Sequence, residues 1–126
     1  MGFETISYEL RHCQETLSGD ADWEQVQAAA CDPQDAATTT VELVHEGGAE
    51  SPDSTSGSVY TFEDWPVNSP SHSISVTTSE AVSSVIVVEP TNEVVRDELT
   101  SDASDTRWSG FIGSRGPTEY WVLVTP

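Results

Sequence analysis

Hydrophobic positions in this chain mostly recur at every second residue. In residues 3–10, Ile6, Tyr8 and Leu10 alternate with Thr5, Ser7 and Glu9, the period of a strand with one buried face and one wet face. From Thr38 the same pattern returns, with Val41, Leu43 and His45 set against Glu42, Val44 and Glu46 up to the Gly47-Gly48 break. Residues 59–65 form a further strand. Pro66 and Pro70 bracket a turn, after which Ile74, Val76 and Thr78 alternate with Ser73, Ser75 and Thr77 more cleanly than anywhere else. That strand is expected to keep one face in water. Residues 82–89 are nearly all apolar, as expected for a central strand covered on both sides, and Pro90 ends it. Residues 94–99 fit no single period. The segment Trp108-Ser109-Gly110-Phe111-Ile112-Gly113 reads as a glycine-containing strand or bulge. After the turn Ser114-Arg115-Gly116-Pro117, the strand 118–124 sets Tyr120, Val122 and Val124 on one face and Trp121 and Leu123 on the other.

One segment departs from this period. Trp23, Val26 and Ala30 stand at i, i+3 and i+7, on one face of a helix. Asp22 is its N-cap, Gln25 completes a capping box, and Asp32-Pro33 stops it. Asp20, Asp22 and Glu24 lack the Asp-x-Asp-x-Asp-Gly pattern of a calcium loop, and acids at a helix start are explained by the positive end of its dipole. The Ser/Pro/Asp/Gly-rich residues 47–58 read as a mobile polar loop, and residues 100–106 as a second loop. About seven short strands with one short helix near the N-terminus predict a mainly β fold, an antiparallel sandwich or barrel. At 126 residues the chain suits a single domain spanning 1–126.

Composition narrows the setting. Leu, Ile, Val and Phe make up only 26 residues, close to the level at which a highly charged chain stays unfolded, but 14 of them are Val and 31 further residues are Ser or Thr. That bias toward β-branched and small hydroxyl side chains suits a pleated sheet. The chain has 22 acids, four arginines and no lysine, for a formal net charge of −18. Arg11, Arg96, Arg107 and Arg115 are too few and too scattered to replace counterions on a nucleic acid, so neither nucleic acid nor an anionic membrane is expected as a partner. No run approaches 18 apolar residues, and Met1-Gly2-Phe3-Glu4 lacks the charged and apolar regions of a signal peptide. Neither a membrane span nor export is therefore expected. The acids extend from Glu4 to Glu119 without a block of five, so neither a tail nor one site accounts for them. Molar salt, with a screening length of about 3 Å, would remove the self-repulsion that opposes compaction.

Few residues suggest chemistry. Cys13 and Cys31 flank the helix and have three readings: a disulfide, buried free thiols, or metal ligands with His12, His45 and His72. Adjacent His12 and Cys13 point to opposite faces of a strand, and no Cys-x-x-Cys or His-x-x-x-His spacing exists, so no metal or other cofactor is expected. No Gly-x-Ser-x-Gly elbow or phosphate-binding Gly-x-x-x-x-Gly-Lys motif is present. The Ser-Pro-Ser-His of residues 69–72 reads as a turn, with His72 opening a strand. No catalytic residue is assigned, and the chain is not expected to be an enzyme. Trp65, Trp108, Tyr120 and Trp121 are candidate interface residues, since large rings are enriched at contacts. For Trp121 a second reading stays open, that it lies under the helix beside Trp23.

The small β-rich domain, the Thr/Ser/Val-rich strands and the lysine-free dispersed acidity together resemble the minor structural proteins of haloarchaeal tailed viruses. The resemblance implies a capsid decoration or turret subunit, a head–tail connector, a tail component or a fibre-associated domain. Such a subunit would act in a symmetric oligomer with itself and other virion proteins, assembled in a salt-rich host cytoplasm. The alternative from another class is a ligand- or carbohydrate-binding β-sandwich using Trp65, Trp108 or Trp121 as a stacking platform.

Overall fold

The structure, a computed structural model, describes residues 3–34, 39–45, 48–66, 72–113 and 119–126. The expected turns at Pro66–Pro70 and at 114–117, with Arg115, fall wholly or largely outside these residues, as does Gly47. Among the described residues twelve strands and one helix follow one another: β1 (Phe3–His12), α1 (Trp23–Ala28), β2 (Asp32–Pro33), β3 (Thr39–His45), β4 (Gly48–Glu50), β5 (Ser54–Ser56), β6 (Val59–Pro66), β7 (His72–Thr78), β8 (Ser84–Glu89), β9 (Val94–Glu98), β10 (Thr100–Ser101), β11 (Arg107–Gly113) and β12 (Glu119–Thr125). They form two sheets. The first runs β5-β6-β1-β12-β8-β9, with β2 attached to β1, and the second runs β10-β11-β7-β3-β4. The expected sandwich is therefore present, and it is not a closed barrel.

The inward residues are those whose alternation announced them. Ile6, Tyr8 and Leu10 of β1, Tyr120, Val122 and Val124 of β12, and Val85 and Val87 of β8 meet Val41, Leu43, Ile74 and Val76 of the second sheet in one buried core. Tyr60, Tyr8 and Tyr120 stand in one row across β6, β1 and β12. Tyr8 stacks on Tyr120 at 4.9 Å between centroids and meets Phe62 edge-on at 6.2 Å. Burial raises the Tyr8 hydroxyl well above its ordinary pKa. The Tyr60 hydroxyl donates to the Thr39 carbonyl at 2.6 Å, joining the sheets.

The outer face of the first sheet carries a second core. Ile86, Val88 and Leu123 point away from the sandwich and are covered by Val26 and Ala29 of the helical segment, with Cys13 and Leu17 beside them. All six residues of β8 are consequently buried, as expected of a strand covered on both sides. The capping box is formed: Asp22 accepts from the Gln25 amide at 2.8 Å, and the Gln25 side chain accepts from the Asp22 amide at 2.9 Å. The helix ends sooner than its sequence pattern suggests. Ala29 is the C-cap and takes the sheet-facing position, while Ala30 turns out to solvent with φ 53°, in the left-handed region.

Two further expectations are corrected. The strands are not all antiparallel, because β1 runs parallel to β12, with Tyr8 opposite Tyr120. Parallel neighbours are never joined by a hairpin, so a pairing between distant segments leaves no trace in local pattern. The polar stretch at 47–58 carries two short edge strands, β4 on β3 and β5 on β6. Gly57, at φ 59°, supplies the tight turn from β5 into β6 that other residues would enter with strain. Residues 94–98, of ambiguous period, form β9, which hairpins back on β8 with a register shift between Val87 and Val88. The bulge expected in β11 is seen as a register shift between Phe111 and Gly113.

One side of the sandwich is drawn together by β9 and β11. Arg96 donates through Nε to the Ile112 carbonyl at 2.8 Å. A Cβ at Gly110 would meet the Asp97 carboxylate and a Leu99 methyl, and those side chains would have to shift to admit it. That packing desolvates Asp97 and raises its pKa.

Candidate functional site

The two sheets are covered unequally, and that inequality locates the site. The helical layer lies over β8 and β12 on the outer face of the first sheet. On the second sheet the outward positions Thr40, Glu42, Ser73, Ser75, Thr77, Arg107, Ser109 and Phe111 are exposed or half-buried. Pairing arranges them in rows: Thr40–Thr77–Arg107, then Glu42–Ser75–Ser109, then the backbone positions of Val44, Ser73 and Phe111. Thr100 of β10 extends the middle row beside Ser109. Phe111 is 62 % exposed, the largest value among the exposed large hydrophobic residues described.

Charge on this face differs from that of the whole molecule. The outward residues named here hold one acid, Glu42, and one base, Arg107, against a chain total of −18. Arg11 pairs with Glu9 at 2.6 Å and Arg96 with Glu89 at 3.3 Å, whereas Arg107 has no ion-pair partner among the described residues. A shallow hollow of about 310 Å³ opens beside it, lined by Ser75, Thr100, Ser101, Ser109 and Asp102. Asp102 accepts from the Ser104 hydroxyl at 2.8 Å and from its amide at 3.1 Å, and these hydrogen bonds hold its carboxyl below the usual range. Such a surface offers hydroxyl donors and acceptors, one free guanidinium and one ring.

The residues singled out from sequence fall in different places. Trp108 and Tyr120 are 6 % and 4 % exposed and belong to the core between the sheets, so neither presents a ring at a surface. Their strand faces point inward because alternation with Ser109 and Trp121 puts the polar or helix-covered neighbour outside. Trp121 is half-buried on the helical side, stacked with Trp23 at 5.6 Å, while the Arg11 guanidinium lies 3.8 Å from its centroid. Of its two readings, the position under the helix is the one occupied, and Trp23 and Arg11 already hold its ring. Trp65 of β6 pairs through its backbone with Glu4 of β1, and its side chain lies outside the described residues, as do those of His45 and His72. His72 does open a strand. Cys13 and Cys31 are joined in a disulfide, which together with the Gln14 amide donating to the Ala29 carbonyl at 2.9 Å ties the end of the helical segment to the end of β1.

Two other hollows are less suited to recognition. One of about 270 Å³ lies between Arg11, Trp23, Cys31 and Trp121, whose groups already bond to one another. Another of about 300 Å³ lies at one end of the sandwich near His12, Thr78 and Glu80. Among the described residues no group of three His, Cys, Asp or Glu could hold a metal ion, and no helix is long and apolar enough to cross a membrane. No family profile, curated protein or solved structure matches the chain. What sequence reading missed was Arg107 and Phe111 as a pair of surface features. Their signal was faint, one exposed base and one exposed ring two pleats apart on a strand that also holds two glycines.

Proposed function

We propose that this protein is a non-enzymatic assembly subunit that binds neighbouring protein chains through its sheets. In the finer reading it is a structural component of a virion of a salt-adapted tailed virus. The observation that supports this is the unequal covering of the sandwich: a helical layer covers β8 and β12 of one sheet, while the outward face of the other is left open and bears Phe111. Exposed rings on an otherwise polar surface are a mark of contact sites. The remaining surface is so acidic that partners are repelled everywhere else unless salt screens them. Light scattering in molar salt, alone and with capsid or tail proteins of the same virus, tests the reading. Self-association or a defined complex is expected; a monomer that binds neither overturns it.

A binding module for a polyol or sugar is the second reading, favoured by the hydroxyl-lined hollow at Ser75, Thr100 and Ser109. Titration with a panel of soluble glycans, with Ser109→Trp filling the hollow as control, separates the two.

A further inference from the structure

We infer that the outer face of the five-stranded sheet is the docking face for a second copy of this chain, packed face to face about a two-fold axis parallel to β7. The inference rests on the assembly reading above and names its contact surface.

Strand register sets the contact. β7 is flanked by β11 on one side and β3 on the other, so the face is nearly symmetric about it. A two-fold axis along β7 exchanges the two flanks. Arg107 of one copy then stands over Thr40 of the other, and Ser109 over Glu42, because these pairs share the rows of Thr77 and Ser75. Arg107 and the facing Glu42 are one pleat apart along the strand. With sheets about 10 Å apart and a rise of about 3.4 Å per residue, their Cα atoms are separated by about 12 Å, a span an extended Arg–Glu pair closes. Symmetry makes the contact twice. Phe111 arrives over the backbone position of Val44, in the row of Ser73.

Charge selects the occupant. Two copies at −18 each repel one another most weakly where acids are sparse, and the strands β3, β7 and β11 supply one base and one acid for such a pairing, with Asp102 at the edge beside β10. Arg107 has no ion-pair partner among the described residues of its own chain. Small hydroxyl side chains on β7 let the sheets approach without a bulky obstacle. Five strands of at most seven residues give a face on the order of 24 Å by 24 Å. That is roughly 550 Å², short of the ~800 Å² per partner of a standard stable interface. The dimer is therefore weak, dependent on concentration and strengthened by salt.

Sedimentation equilibrium across concentration, at low and molar KCl, is the test, applied to the full chain and to Arg107→Glu, Glu42→Arg and the double exchange. A salt-promoted dimer is expected. Arg107→Glu sets like charges together at both half-contacts and weakens it by about tenfold or more, and the double exchange restores it. Circular dichroism melts of each variant verify that the fold is retained. A chain that stays monomeric at all salt concentrations overturns the inference, and so does a dimer indifferent to Arg107→Glu. If that same chain still forms complexes with other virion proteins, or associates through another surface, the assembly reading stands while the docking face falls.

Discussion

Arg96 reaches the carboxylate of Glu89 at 3.3 Å, and Glu89 is only 4 % exposed. The second carboxylate oxygen accepts from Asn92 at 2.8 Å. Through Nε, Arg96 also donates to Ile112 on the opposite sheet, so one side chain neutralises a buried acid and fastens β9 to β11. In a chain with four arginines, spending one here is informative: an unpaired carboxylate at this depth would cost more than a surface pair contributes.

Replacing Arg96 with Ala should therefore destabilise the protein by about 2 kcal/mol, with Glu89→Gln in the same background recovering part of the loss. Paired chemical melts in molar salt measure both. A loss below that of an ordinary surface pair, under about 0.5 kcal/mol, would show that Glu89 finds water or another donor.

The helix exit offers a change of opposite sign. Ala30 holds a left-handed φ of 53° that glycine adopts without strain, and its side chain is exposed. Ala30→Gly should stabilise the fold by about 0.5–1 kcal/mol, read as a shift in the urea midpoint at constant slope. A destabilisation would mean that the Ala30 methyl contributes packing that its exposure does not suggest.

Reducing Cys13–Cys31 opens a loop of sequence separation 18 and should cost about 3 kcal/mol in the chain-entropy model. Because the bond anchors the helical segment over Trp121, tryptophan fluorescence from the Trp23–Trp121 stack should change before the signal of the sheets does. A single coincident transition, unchanged in midpoint by reductant, would count against the helix being held this way.

His12 is shifted below its ordinary pKa by burial alone. The folded state thus prefers the neutral imidazole. Its contribution is complete above the unfolded value of about 6.5 and is lost as pH falls through that value toward the lower folded one. Protonating carboxylates relieves repulsion over part of the same range, so the difference between the wild type and His12→Gln isolates the histidine. An NMR titration placing His12 at or above 6.5 would contradict the shift.

Salt dependence follows from net charge. At −18, the compact state should melt well below its molar-salt temperature when placed in dilute buffer, since screening weakens repulsion among dispersed surface acids. Equal melting temperatures in 0.1 M and 3 M KCl, compared by scanning calorimetry, would remove salt adaptation as the reason for the acids.

Local pattern determined a great deal of this protein. Alternation in β1, β3, β7 and β12 decided which side chains enter the core, the apolar run in β8 announced burial on both faces, and Asp22 with Gln25 placed the helix start. These follow from residues within one or two turns or pleats, where side-chain direction is set by backbone period alone. Tertiary structure decided the rest. Whether Cys13 would bond Cys31, whether Trp121 would face a helix or a partner, and whether β1 would lie parallel to β12 all depend on which strands become neighbours. So does the candidate docking face. Ser75 was legible as a wet residue, but Arg107 and Glu42 came to flank β7 in neighbouring rows only when β11 and β3 paired on its two sides, contacts that span thirty or more residues of chain.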